Sequence, residues 1–480
     1  MTTTAPPVTD AARGRASLRS LGALRRLDHR GFVIGLVVCT LAGAAVRLMN
    51  VLWWRPTTSR PGFLGYVLAG DASYYHWQAN AIADGQWFVD PYLWANRGES
   101  VASAAHAPLY TLYLSFWSAL GVDTVTGHRL ASCLLGVAAV TLIGLLAFRL
   151  AGRAAGLLGA GIAALYPGLW INDGMLLAES IAIVAMVCAL HAMYSFWRTP
   201  TTRNAVVLGL TCAVAGLART ELLALFAVAL VPLALTIPRE TWGERLKRAV
   251  VGCVAGALLI APWAIFNLTR FEEPTLTTTG FGAALSAASC DAVFYGDRIG
   301  YYDNCFDGPW PSPDLDESQR DAYSRDAALE YTEEHLSRLP VVAAARIGRI
   351  WGVFKPGQTT SLDWSVEGRG RAPSWIALFS YYVLVITAVG GLVRLVRHRV
   401  TILPLLAAPI IVTFAAATTF GVTRYRAPAE VAIVVAAAVG IAALARRGRD
   451  DAADRGGGDG APVVPEAEDR AGPAGTLAQR

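Results

Sequence analysis

The feature that most constrains this chain is a series of apolar runs separated by short clusters of arginine. The first run, Phe32 to Trp54, matches the roughly 20 residues an α-helix needs to cross a bilayer. Hydrophobic residues make up 54% of the 480, charged residues 16%, and the mean hydropathy is +0.42. That balance is too apolar for a soluble globular protein, so an all-α polytopic membrane protein is expected. The formal charge of +5 does not point to nucleic acid, because the arginines lie between apolar runs rather than on one basic face.

Those arginines report orientation instead. Arg13, Arg15, Arg19, Arg25, Arg26 and Arg30 precede the first run and make residues 1–30 a basic arm that the positive-inside rule keeps in the cytoplasm. The arm is long and the run is of spanning length, so the first span is read as retained rather than as a cleaved signal. Further spans are expected over 129–148, 155–171, 174–195, 204–218, 220–237, 249–267, 374–393, 400–419 and 427–445. With both termini inside, every later arginine cluster then falls on the cytoplasmic side of a plasma (inner) membrane. His106 to Leu120 is too short to span and reads as an amphipathic surface helix.

This arrangement gives one membrane domain over 31–448, with outer loops at 54–128 and 268–373. The tail, 449–480, is rich in Gly, Pro, Asp, Glu and Ala and is expected to be disordered in the cytoplasm. Within the second loop, a charged helix is expected from about Asp316 to Arg338, stopping before Pro340. Val341 to Phe354, with Arg346, Arg349 and Trp351, has the spacing of an interfacial helix.

The polar groups gather on the outer side. Asp71, Tyr74, Tyr75, His76 and His106 follow the first span, a costly set beside lipid unless it lines a protein cavity. Asp71 is suited to act as a general base, or equally to cap a helix over Ala72 to Ala83. Asp173 and Glu179 straddle the start of a span; they read as substrate-binding groups or as buried carboxylates paired to Arg129 or Arg219. Glu221 and Arg219 could simply pair at a tight turn. Arg424 and Arg426 flank Tyr425, where guanidinium would grip phosphate or snorkel to lipid head groups.

His106 has no Cys or carboxylate at a metal-ligand spacing, so loop packing competes with a metal role and a divalent metal is left open. Cys290 and Cys305 share one polar loop, where an oxidising compartment would favour a disulfide; the other five cysteines are scattered singly through apolar runs. There is no phosphate-cradling glycine loop, nucleophile elbow or zinc-protease motif.

From the first span to about Pro428, the chain resembles the polyprenyl-phosphate-dependent glycosyltransferases of the membrane C superfamily (GT-C, glycosyltransferase family 39 type). That group includes the protein O-mannosyltransferases and the lipid A aminoarabinose transferase. The marks are Asp71 with Tyr74, Tyr75 and Gly85; His106 with Pro108 and Leu109; and the Leu-Leu-Ala-Glu segment ending in Glu179. The resemblance implies a GT-C-like bundle of about ten to twelve transmembrane helices with periplasmic surface helices and one large outer loop, and a role as base or acceptor-positioning carboxylate for Asp71. Ala72 stands where the family often has a second acid.

It implies a polyprenyl-phosphate-linked sugar donor arriving through the membrane lipids, and a cell-envelope lipid, glycan or protein acceptor. The donor phosphate would meet Arg424 and Arg426, with Arg219 or Arg346, and the sugar would be displaced with inversion. Tyr74, Tyr75, His76 and His106 would shape the cavity. The competing reading is a transporter or lipid flippase without chemistry, which intramembrane carboxylates also mark. A noncatalytic assembly subunit is a third, and would leave Asp71 replaceable.

Overall fold

A computed structural model describes residues 28–58, 65–238, 240–303, 305, 312 and 314–456. Most of the predicted basic arm, and the tail from 457 on, lie outside the described residues. Within them, helices dominate, and strand-like pairing is confined to isolated bridges of Thr57 with Tyr66 and Val89 with Ala102.

Six helices are long and apolar enough to cross a membrane: His29–Trp54, Val125–Ala151, Glu179–Arg198, Trp242–Leu268, Arg371–Arg397 and Thr423–Ala445. Three shorter apolar helices, Thr202–Ala218, Thr220–Leu235 and Leu403–Thr418, accompany them. The span expected over 155–171 is instead a pair, Arg153–Leu165 and Pro167–Asp173, bent by 52°. The break follows from Pro167, whose ring disfavours the α conformation in the residue before it; Tyr166 sits at φ −71°, ψ 115°. The span expected from residue 174 starts later, at Glu179, because Leu176 turns the chain with φ 54°.

Glu179–Arg198 and Thr423–Ala445 are largely enclosed by neighbours, whereas His29–Trp54, Trp242–Leu268 and Arg371–Arg397 present most of their surface outward. Where lipid supplies no hydrophobic drive between helices, close packing does the work, and small residues permit it. A Cβ on Gly209 would collide with the carbonyl of Gly252, so Thr202–Ala218 and Trp242–Leu268 cross backbone to backbone. Between the first spans, Arg47 Nε meets Asp173 Oδ2 at 2.6 Å, both side chains almost wholly buried. A Cβ on Gly136 would strike both partners, so that glycine admits the ion pair.

The helix expected over His106 to Leu120 is present as Pro108–Ala119 and packs on Asp71–Ala83. The charged helix of the long loop is Glu317–Glu334, opened by an Asp316–Gln319 capping box and ending before Arg338. The last helix, Ala427–Gly456, runs on into the start of the predicted tail, where Ala and Arg favour helix. Cys290 and Cys305 form a disulfide with Cα atoms 5.7 Å apart.

The interfacial reading of Val341 to Phe354 is corrected. The helix is Leu339–Ile350, and it is clamped inside protein. Arg346 donates to the carbonyls of Ala288 and Ala417 and Arg349 to that of Ile299, while Trp351 donates to Thr413. A guanidinium has five donors, so buried carbonyls can satisfy it as well as lipid head groups do.

Candidate active site

Gly70 precedes the helix Asp71–Ala83 at φ 57°, ψ −139°, a conformation that suits only glycine. This turn sets Asp71 in the first helical turn, and its side chain makes no capping bond. The carboxylate instead receives Arg424 Nη2 at 2.6 Å on Oδ2. The capping reading is therefore replaced by an ion pair joining the first loop to the last.

Arg424 is shared. Its Nη1 is 3.2 Å from Glu367 Oε2, its Nε is 3.9 Å from Glu179 Oε1, and its Nη2 also donates to the Tyr425 hydroxyl at 2.9 Å. Arg219 pairs with Glu179 at 2.6 Å and with Glu221, and lies 4.3 Å from the Tyr425 ring centre. Two guanidiniums thus hold four carboxylates: Asp71, Glu179, Glu221 and Glu367. Tyr302 closes the far side by donating to Glu367.

Burial alone would raise the Asp71 pKa, but the Arg424 guanidinium outweighs it and holds the carboxyl well below the usual carboxylate range. His106 Nε2 lies 3.9 Å from Asp71 Oδ1, and burial lowers the imidazole below its ordinary value, so it faces Asp71 neutral. Tyr74 and Tyr75 fix that ring from two sides, with centres 4.8 and 4.9 Å away. The Asp71 side chain keeps 35% exposure, and it is exposed to a cavity.

That cavity is about 2040 Å³, well above the roughly 300–1,000 Å³ of a single small-ligand site. Asp71, Tyr75, His106, Glu179, Arg219, Glu221, Glu367, Arg424 and Tyr425 line its polar centre. One flank is the long loop, including Thr275, Phe281 and Asp321; the other is the apolar helix Leu403–Thr418, including Ile410 and Phe414. Phe414 and Ile410 are 71% and 48% exposed on the outside of the bundle, and an apolar groove of about 470 Å³ continues from them along the same helix. The cavity is therefore open to a polar loop at one side and to the lipid-facing surface at another.

Several expected site residues are elsewhere. Asp173 is consumed by Arg47. His76 is buried beside His128, their Nδ1 atoms 3.0 Å apart, and does not line the cavity. Tyr74 stands behind His106, hydrogen-bonded to Ser103 and Gln78. Arg426 turns inward to Glu430 at 2.8 Å and to the carbonyl of Ile350, and Arg346 is spent on carbonyls. Their surroundings, polar but internal, cannot be read from a basic residue near a span end. Glu367 and Tyr302 were not foreseen. For Glu367 a signal existed: an acid just before Gly368 and Gly370, both at positive φ, at the mouth of a span.

The described residues do not fit a divalent cation. Among them no group of three or more His, Cys, Asp or Glu side chains converges to hold one, and each carboxylate of the cluster is already turned onto a guanidinium.

No protein-family model and no curated protein sequence matches the chain. Among solved structures, the oligosaccharyltransferase AglB of Archaeoglobus fulgidus, in complex with an inhibitory peptide and a dolichol-phosphate, is similar with a TM-score of 0.50. Identity is 13%, over 90% of this chain and 52% of that one, so this chain spans about half the length of that enzyme. ArnT from Cupriavidus metallidurans, bound to undecaprenyl phosphate, gives 15% identity over 91% and 82% of the two chains with a TM-score of 0.40. The likeness is one of fold alone: the chain is an all-α polytopic membrane protein with its helices arranged like those of that oligosaccharyltransferase.

Proposed function

We propose that the protein is a glycosyltransferase that moves a sugar from a polyprenyl-phosphate donor to an acceptor hydroxyl. The observation that carries this reading is the position of Asp71. It is an ionised carboxylate at the centre of a cavity that opens both to a polar loop and to the lipid-facing flank of Leu403–Thr418. A lipid-linked sugar fits that pair of openings, since its tail stays in the bilayer while its head reaches the carboxylate. The AglB neighbour, bound to a dolichol-phosphate, supports the same class of donor.

In the proposed reaction the acceptor oxygen bonds to the anomeric carbon while the bond from that carbon to the phosphate oxygen breaks. The electron pair leaves with the polyprenyl phosphate, and the hydroxyl proton passes to Asp71. A carboxylate held in an ion pair is a weak base, so transfer occurs late, once the attacking oxygen has become acidic. Arg424, itself held by Glu367, keeps Asp71 ionised and oriented, Arg219 braces Glu179 and Glu221, and His106 and Tyr75 form the wall beside it. One displacement inverts the anomeric carbon. The arginine distribution supports a site on the outer face of a plasma membrane with both termini in the cytoplasm, and the acceptor is a cell-envelope lipid, glycan or protein.

The test is to supply purified protein in nanodiscs with a mixture of polyprenyl-phosphate sugars and acceptor extract. Glycosylated product of inverted anomeric configuration, with free polyprenyl phosphate, is expected. Movement of intact lipid across the bilayer with no bond broken would favour a flippase instead.

A further inference from the structure

Arg424 is not offered to Asp71 alone. Glu367 and Glu179 compete for the same guanidinium, at 3.2 and 3.9 Å. A long side chain set among three carboxylates keeps one arrangement only if its backbone is fixed, because each loose bond multiplies the alternatives. Arg424 lies in a short turn, Thr423–Arg426, at the head of the last span.

That turn is pinned on both sides of Arg424. Downstream, Arg426 donates to Glu430 at 2.8 Å and to the carbonyl of Ile350 at 2.7 Å. Upstream, the Thr423 hydroxyl is used twice: it donates to Asp363 Oδ2 at 2.5 Å and accepts from Arg369 Nη1 at 3.1 Å. Arg369 donates again, through Nη2, to Asn172 Oδ1 at 3.1 Å in the short helix Pro167–Asp173. Asp363, Arg369 and Asn172 are all buried, so this chain of contacts runs inside the protein.

One stretch of the long loop supplies both grips. Asp363 lies near the end of the helix Pro356–Ser365, with Glu367 and Arg369 just beyond it. Gly368 and Gly370 take φ of 68° and 86°, which turn the chain so that Glu367 reaches Arg424 while Arg369 reaches Thr423. The Arg369 amide donates to the Asp363 carbonyl at 3.2 Å and closes that turn.

Asp363 is costly to keep in this place. Its Oδ1 is buried and receives no hydrogen bond among the described residues. Neither Asp363 nor Thr423 lines the cavity, so contact with a substrate does not account for them. The side-chain hydrogen bond that Asp363 does make goes to the residue before Arg424.

We propose that Asp363, Thr423 and Arg369 form a strut behind the cavity wall that positions Arg424 on Asp71. This rests on the reading of Asp71 as the group that takes the acceptor proton. The strut sets where the Arg424 guanidinium points, and that guanidinium keeps Asp71 ionised. Without the strut, Arg424 turns towards Glu367 or Glu179 and leaves burial to act on Asp71 unopposed. The other titratable or charged groups that face Asp71 are His106, Arg219, Tyr75, Tyr92 and Tyr425, and a substitution at Thr423 leaves them in place.

The experiment is an infrared titration of the full chain in nanodiscs, following the carboxyl band that disappears in Asp71→Asn, beside initial-rate transfer from polyprenyl-phosphate sugars. Thr423→Val keeps the shape and removes the hydroxyl. It should make Asp71 a weaker acid by about tenfold or more, in the same direction as Arg424→Gln. Turnover should fall by about tenfold while the donor KM holds, and adding Thr423→Val to Arg424→Gln should change the titration no further. Thr423→Ser keeps the hydroxyl and should titrate as the wild type does. Asp363→Asn exchanges a charge-assisted bond for a neutral one and should move the titration the same way by less, which keeps the test open should Thr423→Val not fold. Wild-type titration of Asp71 in the folded Thr423→Val, or an equal shift in Thr423→Ser, would overturn the strut. A wild type that titrates as expected and transfers no sugar would instead overturn the glycosyltransferase reading, with the strut still decided by the infrared band.

Discussion

Asp71 and Arg424 stand 353 residues apart in the chain and 2.6 Å apart in space, Oδ2 to Nη2. The pair ties the loop after the first span to the turn before the last, and it fixes the protonation state of the carboxylate that faces the cavity.

The pH dependence of activity follows from that pair. Arg424 depresses the Asp71 pKa, so the carboxylate is ionised throughout the neutral range and its contribution fails only as pH falls through the depressed value. In Arg424→Gln the opposing influence of burial remains and raises the pKa. The acid limb of the activity profile should then move to higher pH, read from transfer rates across a pH series; an unmoved limb would show that Arg424 does not set the charge of Asp71.

Gly70→Ala should cost about 1–3 kcal/mol of stability, because its φ of 57° with ψ of −139° is strained for any residue with a Cβ. Space is not the obstacle, as nothing lies within 4 Å of the added atom. The helix that carries Asp71 would start differently, so the transfer rate should fall more than donor affinity does, measured by initial-rate kinetics beside thermal melting.

Arg47 and Asp173 form an ion pair buried between spans. Removing one partner, as in Arg47→Leu, leaves a buried charge and should destabilise by about 3–5 kcal/mol, while the double change to leucine should recover most of that loss. Thermal unfolding in detergent of the two single variants and the double variant checks it; additive losses would mean that the pair is not coupled.

The Cys290–Cys305 bridge closes a segment with a sequence separation of 15. Chain entropy assigns about 3 kcal/mol to such a closure. Cys290→Ser with Cys305→Ser should leave the spans intact and increase hydrogen exchange in residues 286–303, and unchanged exchange there would assign the bridge no ordering role.

The six long apolar helices were readable because bilayer thickness acts on contiguous residues. The bend before Pro167 shows where this fails: apolar character persists through 155–171 while the backbone geometry of one proline breaks the helix. Asp71, Arg219, Glu179 and Arg424 were each visible as costly groups at span ends, since that cost is local. Their mutual arrangement was not, because pairings across hundreds of residues leave no periodic trace. Arg346 and Arg426 illustrate the same gap, for an arginine reads identically whether it meets lipid phosphate, buried carbonyls or a carboxylate one turn away.

The measurement that bears most directly on the central claim is sugar transfer by Asp71→Asn, with melting temperature and polyprenyl-phosphate binding recorded alongside. The isosteric amide cannot accept the hydroxyl proton, so transfer should fall by about a hundredfold or more while folding and donor binding persist. Transfer at the wild-type rate in Asp71→Asn would contradict the account.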